Sequence, residues 1–198
     1  MAITTYAELQ TSVKNWLHRS DMDAVIPDLI TLGEGRIYRQ LRVRQMEETL
    51  SGTFSGGTLA IPADYVELKF AYVDTSSNRW LERKTAEWIY RNDPTRSSGE
   101  ARYIAREGSN FILSPTENAT IAGIYYKRLD PIATTLNTIF TSHPGLWLFA
   151  ALIESEAYIV RDARMPMWEA KFGQLVQEVS MEEWRENASG SNLAMTAE

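Results

Sequence analysis

The sequence predicts an α+β protein: a helical bundle formed by N-terminal and C-terminal helix pairs, an inserted small β-strand lobe, and an extended C-terminal tail. Three observations carry this expectation. Apolar residues recur at helical spacing from Leu9 to Leu41 and again from Leu146 to Val179. Between these stretches, apolar residues alternate in short runs broken by Gly, Pro, Asn and Asp. After Trp184 the chain becomes polar, as Asn187-Ala188-Ser189-Gly190-Ser191-Asn192-Leu193-Ala194-Met195. The expected organisation is one domain over 1–198, with 1–45 and 142–186 as the bundle, 46–130 as the lobe and 187–198 as the tail.

The first helix has Thr4 or Thr5 as its cap, with Glu8 placed to close a capping box, and Leu9, Val13, Trp16 and Leu17 on one face. It ends near Arg19-Ser20-Asp21. The second starts around Val25-Ile26-Pro27, where proline is tolerated, and carries Ile26, Ile30, Gly33, Ile37 and Leu41 as its stripe. Strands are expected over 46–54, 58–61, 67–73, 101–104, 110–113 and 120–128, with turns at Ser55-Gly56-Gly57-Thr58 and Glu107-Gly108-Ser109. A short helix is expected from Thr85 to Arg91, closed before Pro94. Asp130-Pro131 ends the last strand, and a polar link over 134–141 leads to the C-terminal helices.

Pro144 suits the first turn of the third helix, whose stripe is Leu146, Ala150, Ile153, Ala157 and Val160. Trp147, Phe149 and Leu152 widen its apolar surface, so it is expected at the centre of the helical layer or against a neighbouring chain. The fourth helix follows Arg161-Asp162-Ala163-Arg164-Met165-Pro166 and carries Trp168, Phe172, Leu175, Val176 and Val179 on one stripe. Trp184 lies near its end in a glutamate-rich setting, either packed back on the first helix or waiting for a partner.

Composition narrows the function classes. The chain has 198 residues, 20 Lys and Arg against 26 Asp and Glu, and a net charge of -6, which excludes a surface that is basic all over. It has no cysteine, hence no disulfide, thiolate metal site or thiol nucleophile. Met1-Ala2-Ile3-Thr4-Thr5 lacks signal-peptide blocks, and the apolar run Leu146 to Ile153 is far short of the roughly 20 residues that span a bilayer. The expectation is a protein made and kept in a cytoplasm until something assembles it, with no membrane contact.

Candidate chemistry is sparse. The two histidines, His18 and His143, lie in separate segments and form no metal-ligand spacing. The acidic pairs Glu47-Glu48, Glu154/Glu156 and Glu182-Glu183 read as solvated faces, not as two carboxylates converging in a cleft. Gly33-Glu34-Gly35 lacks the rest of a dinucleotide fingerprint. No catalytic, cofactor or metal site is therefore expected. Arg36, Arg39, Arg42 and Arg44 form a strip that reads as a solvated face paired with residues such as Glu34 and Glu47, or as one facing phosphate or a partner.

In their order along the chain, several segments resemble the head-to-tail adaptor (neck or connector) proteins of tailed bacteriophages, of the short-tailed type. These are Tyr6-Ala7-Glu8-Leu9 with Trp16-Leu17, Ile26-Pro27-Asp28-Leu29-Ile30 leading to Glu34-Gly35-Arg36-Ile37, and Leu41-Arg42-Val43-Arg44. They continue in Ile61 to Leu68, Phe111 to Pro115 and Tyr125 to Leu129. The strongest is Pro144 to Leu152, followed by Trp168 to Phe172 and Ala188-Ser189-Gly190-Ser191.

The resemblance implies a non-enzymatic structural protein of the virion neck, assembled in the host cytoplasm. It implies a ring of 12 copies that binds the portal protein, extends the channel for double-stranded DNA and docks the next tail or nozzle component. By the same analogy the portal-reaching segment is the tail, with Asn187, Ser189, Gly190, Ser191, Asn192, Leu193 and Met195 as its contacts. Twelve weak tails on a ring bind by avidity, although ordering each one costs conformational entropy. Trp147, Phe149 and Trp184 are candidates for contacts between subunits. The arginine strip is a candidate for the channel wall or a subunit contact. The competing readings are a phage-associated enzyme (a cell-wall hydrolase or nuclease) and a monomeric nucleic-acid-binding module that uses the basic stretch from Arg79 to Arg106.

Overall fold

The structure is a computed structural model, and it describes residues 3–19, 21–158 and 162–189. Its elements, in order, are α1 (Tyr6–Leu17), α2 (Ile26–Gln40), β1 (Glu47–Thr53), β2 (Thr58–Ala60), β3 (Tyr65–Val73), β4 (Arg79–Arg83), α3 (Ala86–Asn92), β5 (Tyr103–Glu107), β6 (Asn110–Ser114), β7 (Thr120–Lys127), α4 (Thr138–Ser142), α5 (Pro144–Glu154) and α6 (Met165–Ser189). They form two compact units, one of Met1–Gln45 with Leu129–Glu198, the other of Met46–Arg128.

In the helical unit, α1 begins with a full capping box: the Glu8 N–H donates to Thr5 Oγ1 at 3.2 Å, and the Thr5 N–H donates to Glu8 Oε2 at 3.0 Å. The Thr4 hydroxyl and N–H reach the same carboxylate at 2.7 Å and, with the Thr5 bonds, hold it below the ordinary glutamate range. Leu9, Val13 and Leu17 are buried, as the spacing predicts, while Trp16, expected on the same face, is exposed. α5 is the hub of this unit. It packs against α1, α2, α4 and α6, and seven of its residues, including Leu146, Trp147, Leu152 and Ile153, are buried. Its approach to α2 is close. A Cβ on Gly33 would lie 3.0 Å from the Ala150 Cβ and its backbone, so a hydrogen at this position lets the two helices touch. α6 is 25 residues long. It buries Trp168, Phe172 and Val179, while Met181 and Trp184 further along are 59% and 67% exposed.

The second unit is a seven-stranded sheet in the order β1-β7-β3-β4-β5-β6-β2. All neighbours are antiparallel except β4 and β5. The sheet curls until its two edge strands meet. A Cβ on Gly52 of β1 would fall 2.7 Å from Leu59 Cδ1 of β2, and Ser55 bridges Thr58 across the turn that joins them. The result is a nearly closed barrel. Its interior holds Leu50, Phe54, Leu68, Val73, Ile104, Phe111, Leu113 and Ile121. Outside, α3 lays Ile89 on Ala105 and Ile112 as a small separate core, with Trp88 against Tyr103.

These features overturn the expected helical bundle with a small β lobe and extended tail. The chain is a mixed helix-and-sheet protein, and its strand region is a barrel with its own core. One reason is β4, which the alternation did not reveal: Arg79–Arg83 buries only Leu81, yet it links β3 to β5 and allows the sheet to curl. Of the expected tail, residues 187–189 are helical, and 190–198 lie outside the described residues. Met181 to Arg185 contains good helix formers, and α6 continues through Asn187 and Ser189 before any Gly or Pro can stop it.

Candidate functional site

The arginine strip starts on α2, where three-residue spacing puts Arg36 and Arg39 on neighbouring positions of the helix surface. Arg36 Nε donates to Glu154 Oε1 at 2.7 Å, which ties α2 to the end of α5. Arg39 is exposed and makes no ion pair with the described residues. Arg42 lies just past the helix end, and its Nη1 donates to the carbonyls of Tyr38 and Leu41 at 2.7 and 2.6 Å. This is a favourable place for a cation, beside unsatisfied carbonyls at the negative end of the helix dipole. Arg44 follows in the short 3₁₀ turn Arg44–Met46 and is exposed. The strip is therefore chemically uneven. Arg36 and Arg42 are half-buried and bond α5 and the end of α2, while Arg39 and Arg44 are exposed.

Glu34 is one of the carboxylates expected to balance that strip, but it points the other way. It is 5% exposed, and its Oε1 accepts from the Ile132 N–H at 2.9 Å and from Trp147 Nε1 at 3.1 Å. Burial pushes its carboxyl above the ordinary glutamate range, and these hydrogen bonds oppose the rise. Glu47 is likewise engaged elsewhere, accepting from Lys69 Nζ at 2.5 Å.

The aromatic candidates also separate by environment. Trp147 is fully buried, with its indole N–H on Glu34 and its ring edge-on to Phe140 at 5.4 Å. Phe149 is half-buried, edge-on to Trp16 at 5.6 Å. Trp184 is the most exposed large apolar side chain among the described residues. Of the tail residues, Asn187 and Ser189 lie on the last turn of α6, while Gly190, Ser191, Asn192, Leu193 and Met195 lie outside the described residues.

Sequence reasoning missed an aromatic surface on the barrel. Trp80 of β4 stands 64% exposed, 5.3 Å from Phe70 and 5.7 Å from Tyr72 of β3. The period-2 spacing of Phe70 and Tyr72 held this signal, but without β4 their shared neighbour was out of sight.

Among the described residues, no three His, Cys, Asp or Glu side chains come together as a metal site would require. His18 ends α1 in the left-handed conformation, at φ 53°. His143 Nε2 lies 3.3 Å from Glu182 Oε2. Among the described residues, no helix is long and apolar enough to cross a membrane. Among the described residues, the arrangement offers exposed faces on helices and strands.

The model of the SU10 adaptor protein family matches residues 4–195. The chain belongs to that family. No curated protein matches it. The SU10 adaptors are phage head-tail adaptor proteins, structural components that work against other parts of the head or tail. For an SU10 adaptor, the relevant chemistry is that of surfaces. Here the described residues offer three: the distal part of α6, the cations Arg39 and Arg44, and the aromatic face around Trp80.

Proposed function

We propose that this SU10 adaptor acts in the virion neck as a ring, of 12 copies, that binds the portal protein, continues the channel for double-stranded DNA and docks the next tail or nozzle component. The two units work together as one adaptor, and the chain beyond Glu186, from Asn187 to Met195, makes the portal contact. The observation that carries this reading is α6, a 25-residue helix whose distal third leaves Met181 and Trp184 in solvent. Met181 and Trp184, three residues apart, lie together on the helix surface, and an apolar patch of this kind suits a subunit that its neighbours complete. Among the candidates for contacts between subunits, Trp184 and the accessible part of Phe149 have surface to offer. In the channel reading, Arg39 and Arg44 are the exposed members of the strip, and exposed cations suit a wall facing phosphate.

The test is a pull-down of portal protein with the full chain and with a chain ending at Glu186, followed by electron microscopy of the mixture. The full chain is expected to give rings on the portal. The shortened chain is expected to melt at the same temperature and to lose portal binding. Normal portal binding by the shortened chain would refute the contact.

A further inference from the structure

α6 has two faces. One is packed, with Trp168, Phe172 and Val179 buried in the helical unit. On the opposite side Met167, Ala170, Gln174, Gln177, Met181 and Trp184 are all exposed. Their spacing alternates between three and four residues, the heptad pattern of a helix seam that packs on a second helix. None of the six is charged. From Met167 to Trp184 the seam is about 25 Å long. Charge begins at its edge. Lys171, Glu178 and Arg185 line one side at seven-residue intervals, and on the other side Gly173 and Ser180 are small and uncharged. A Cβ on Gly173 would meet nothing within 4 Å, so this flank is open to a close neighbour.

The seam is complementary to itself when reversed. One antiparallel register sets Met167 of one copy against Trp184 of a second, Ala170 against Met181 and Gln174 against Gln177, each pair occurring twice about a two-fold axis. Ala170 leaves room for Met181, the Met167 thioether meets an indole ring, and the central amides donate and accept reciprocally. The same register brings Lys171 of each copy within a turn of Glu178 of the other, on one side of the seam. Within the chain these two side chains are linked through Gln174: Lys171 Nζ donates to Gln174 Oε1 at 3.1 Å, and Gln174 Nε2 donates to Glu178 Oε1 at 2.7 Å. Neither has an ion pair among the described residues, so both charges are available to a neighbour. A parallel pairing would set Lys171 and Glu178 beside the flank of Pro166, Gly173 and Ser180, and would form no charge pair there.

We propose that, in the free protein, the seam from Met167 to Trp184 docks a second copy of this chain, with the two α6 helices antiparallel and Lys171 of each paired with Glu178 of the other. The pairing needs neither the portal nor residues 187–198. A two-fold contact uses the same patch on both copies and closes at two. It covers Met181 and Trp184, the side chains that the ring offers to its neighbours, so the dimer and the ring exclude one another. That last consequence alone rests on the ring reading. The dimer is then a reserve of covered subunits that opens as the ring forms.

The experiment uses the full-length protein without portal. Sedimentation velocity over a concentration series is expected to show monomer and dimer in equilibrium and nothing larger. Lys171→Glu and Glu178→Lys each set like charges against one another twice, and each is expected to weaken the dimer about tenfold. An equimolar mixture of the two variants restores both opposite-charge pairs and is expected to dimerise as tightly as wild type. Because the chain has no cysteine, the register can be read by disulfide formation under mild oxidation. Ala170→Cys mixed with Met181→Cys is expected to cross-link, since the two positions face each other. Met181→Cys alone is not, because the antiparallel register holds the two copies of that position about 16 Å apart, beyond the roughly 7 Å that a disulfide spans. Should a charge variant fail to fold, the cysteine pair decides, since Ala170 and Met181 are both exposed. A protein that stays monomeric across the series, a mixture no tighter than the single charge variants, or faster cross-linking by Met181→Cys alone than by the mixed pair would each overturn the proposal. Rings formed by the free chain would also overturn it, in favour of a seam that serves ring neighbours directly. Portal binding is read in a separate mixture, so either reading can fail alone.

Discussion

Glu34 Oε1 accepts the indole N–H of Trp147 at 3.1 Å, inside the helical unit and almost out of reach of water. One carboxylate on α2 thereby holds the first turn of α5 and, through the Ile132 N–H, the segment that leads back from β7. A buried carboxylate is costly unless its lone pairs are satisfied, so the whole cluster must form together. Glu34→Ala leaves two buried donors without an acceptor and is expected to destabilise the protein by about 2–4 kcal/mol, measured by urea unfolding. A loss under about 1 kcal/mol would mean that the site relaxes or admits water.

The same residue makes stability depend on pH. Burial raises the Glu34 carboxyl above its ordinary value. The folded state then holds that proton more tightly than the unfolded state, and ionisation costs stability. The cost is absent below the unfolded value of about 4.3, grows as pH rises through the window up to the raised folded value, and is complete above it. Wild type is therefore expected to gain stability relative to Glu34→Gln as pH falls from neutrality towards about 4. Parallel unfolding curves for the two proteins across that range would contradict this.

The contact at Gly33 sets a steric limit. Because a Cβ there would meet the Ala150 Cβ and backbone at 3.0 Å, Gly33→Val is expected to force α2 from α5 and cost about 1–3 kcal/mol despite removing a helix glycine. Gly145, where a Cβ would meet only Leu175 Cδ1 at 3.3 Å, is the milder comparison. Thermal melts of Gly33→Val and Gly145→Ala should separate, with the first lower.

Two tryptophans on helices of the same unit should respond in opposite ways. Trp147→Ala removes a fully buried ring and is expected to cost about 3–5 kcal/mol. Trp184→Ala is expected to change stability by less than about 0.5 kcal/mol, yet to weaken assembly with neighbouring subunits or the portal, read by sedimentation velocity. Unchanged assembly in a folded Trp184→Ala protein would remove this residue from the proposed contacts.

The arginines can be separated in the same way. Arg42→Ala leaves the Tyr38 and Leu41 carbonyls without their donor and is expected to lower stability by about 1 kcal/mol. Arg39→Glu is expected to leave the melting temperature unchanged and to alter DNA retention in assembled particles. Full retention would take the channel-wall role away from Arg39.

Several elements were legible because their signals are local. The capping box at Thr5 and Glu8, the helical spacing of Leu9, Val13 and Leu17, and the near-total apolarity of α5 all act within a few turns. The turns at Gly56-Gly57 and Gly108 were equally plain, with positive φ at each glycine. What escaped depends on distant partners. Arg79–Arg83 reads as polar chain until β3 and β5 flank Leu81. The helix Thr138–Ser142 hides in a polar link, although Asn137 caps it through the Phe140 N–H at 2.8 Å. Barrel closure rests on Gly52 meeting Leu59, and no periodicity encodes that contact. At the candidate surfaces, spacing located the arginines but could not show that Arg42 would cap a helix or that Glu34 would turn inward. A charge on an amphipathic helix reads as solvated until the opposite wall is known.

The first and last strands of the barrel run side by side, with Glu47 opposite Tyr126. Antiparallel partners sit about 5 Å apart at their Cα atoms, so the polypeptide departs for 83 residues, Met46–Arg128, and returns almost to its starting point. To the helices, such an excursion is topologically equivalent to a tight loop. A relative could lengthen, shorten or exchange the excursion without altering the spacing between Gln45 and Leu129. The same geometry marks this junction as the natural seam for building chimaeric adaptors.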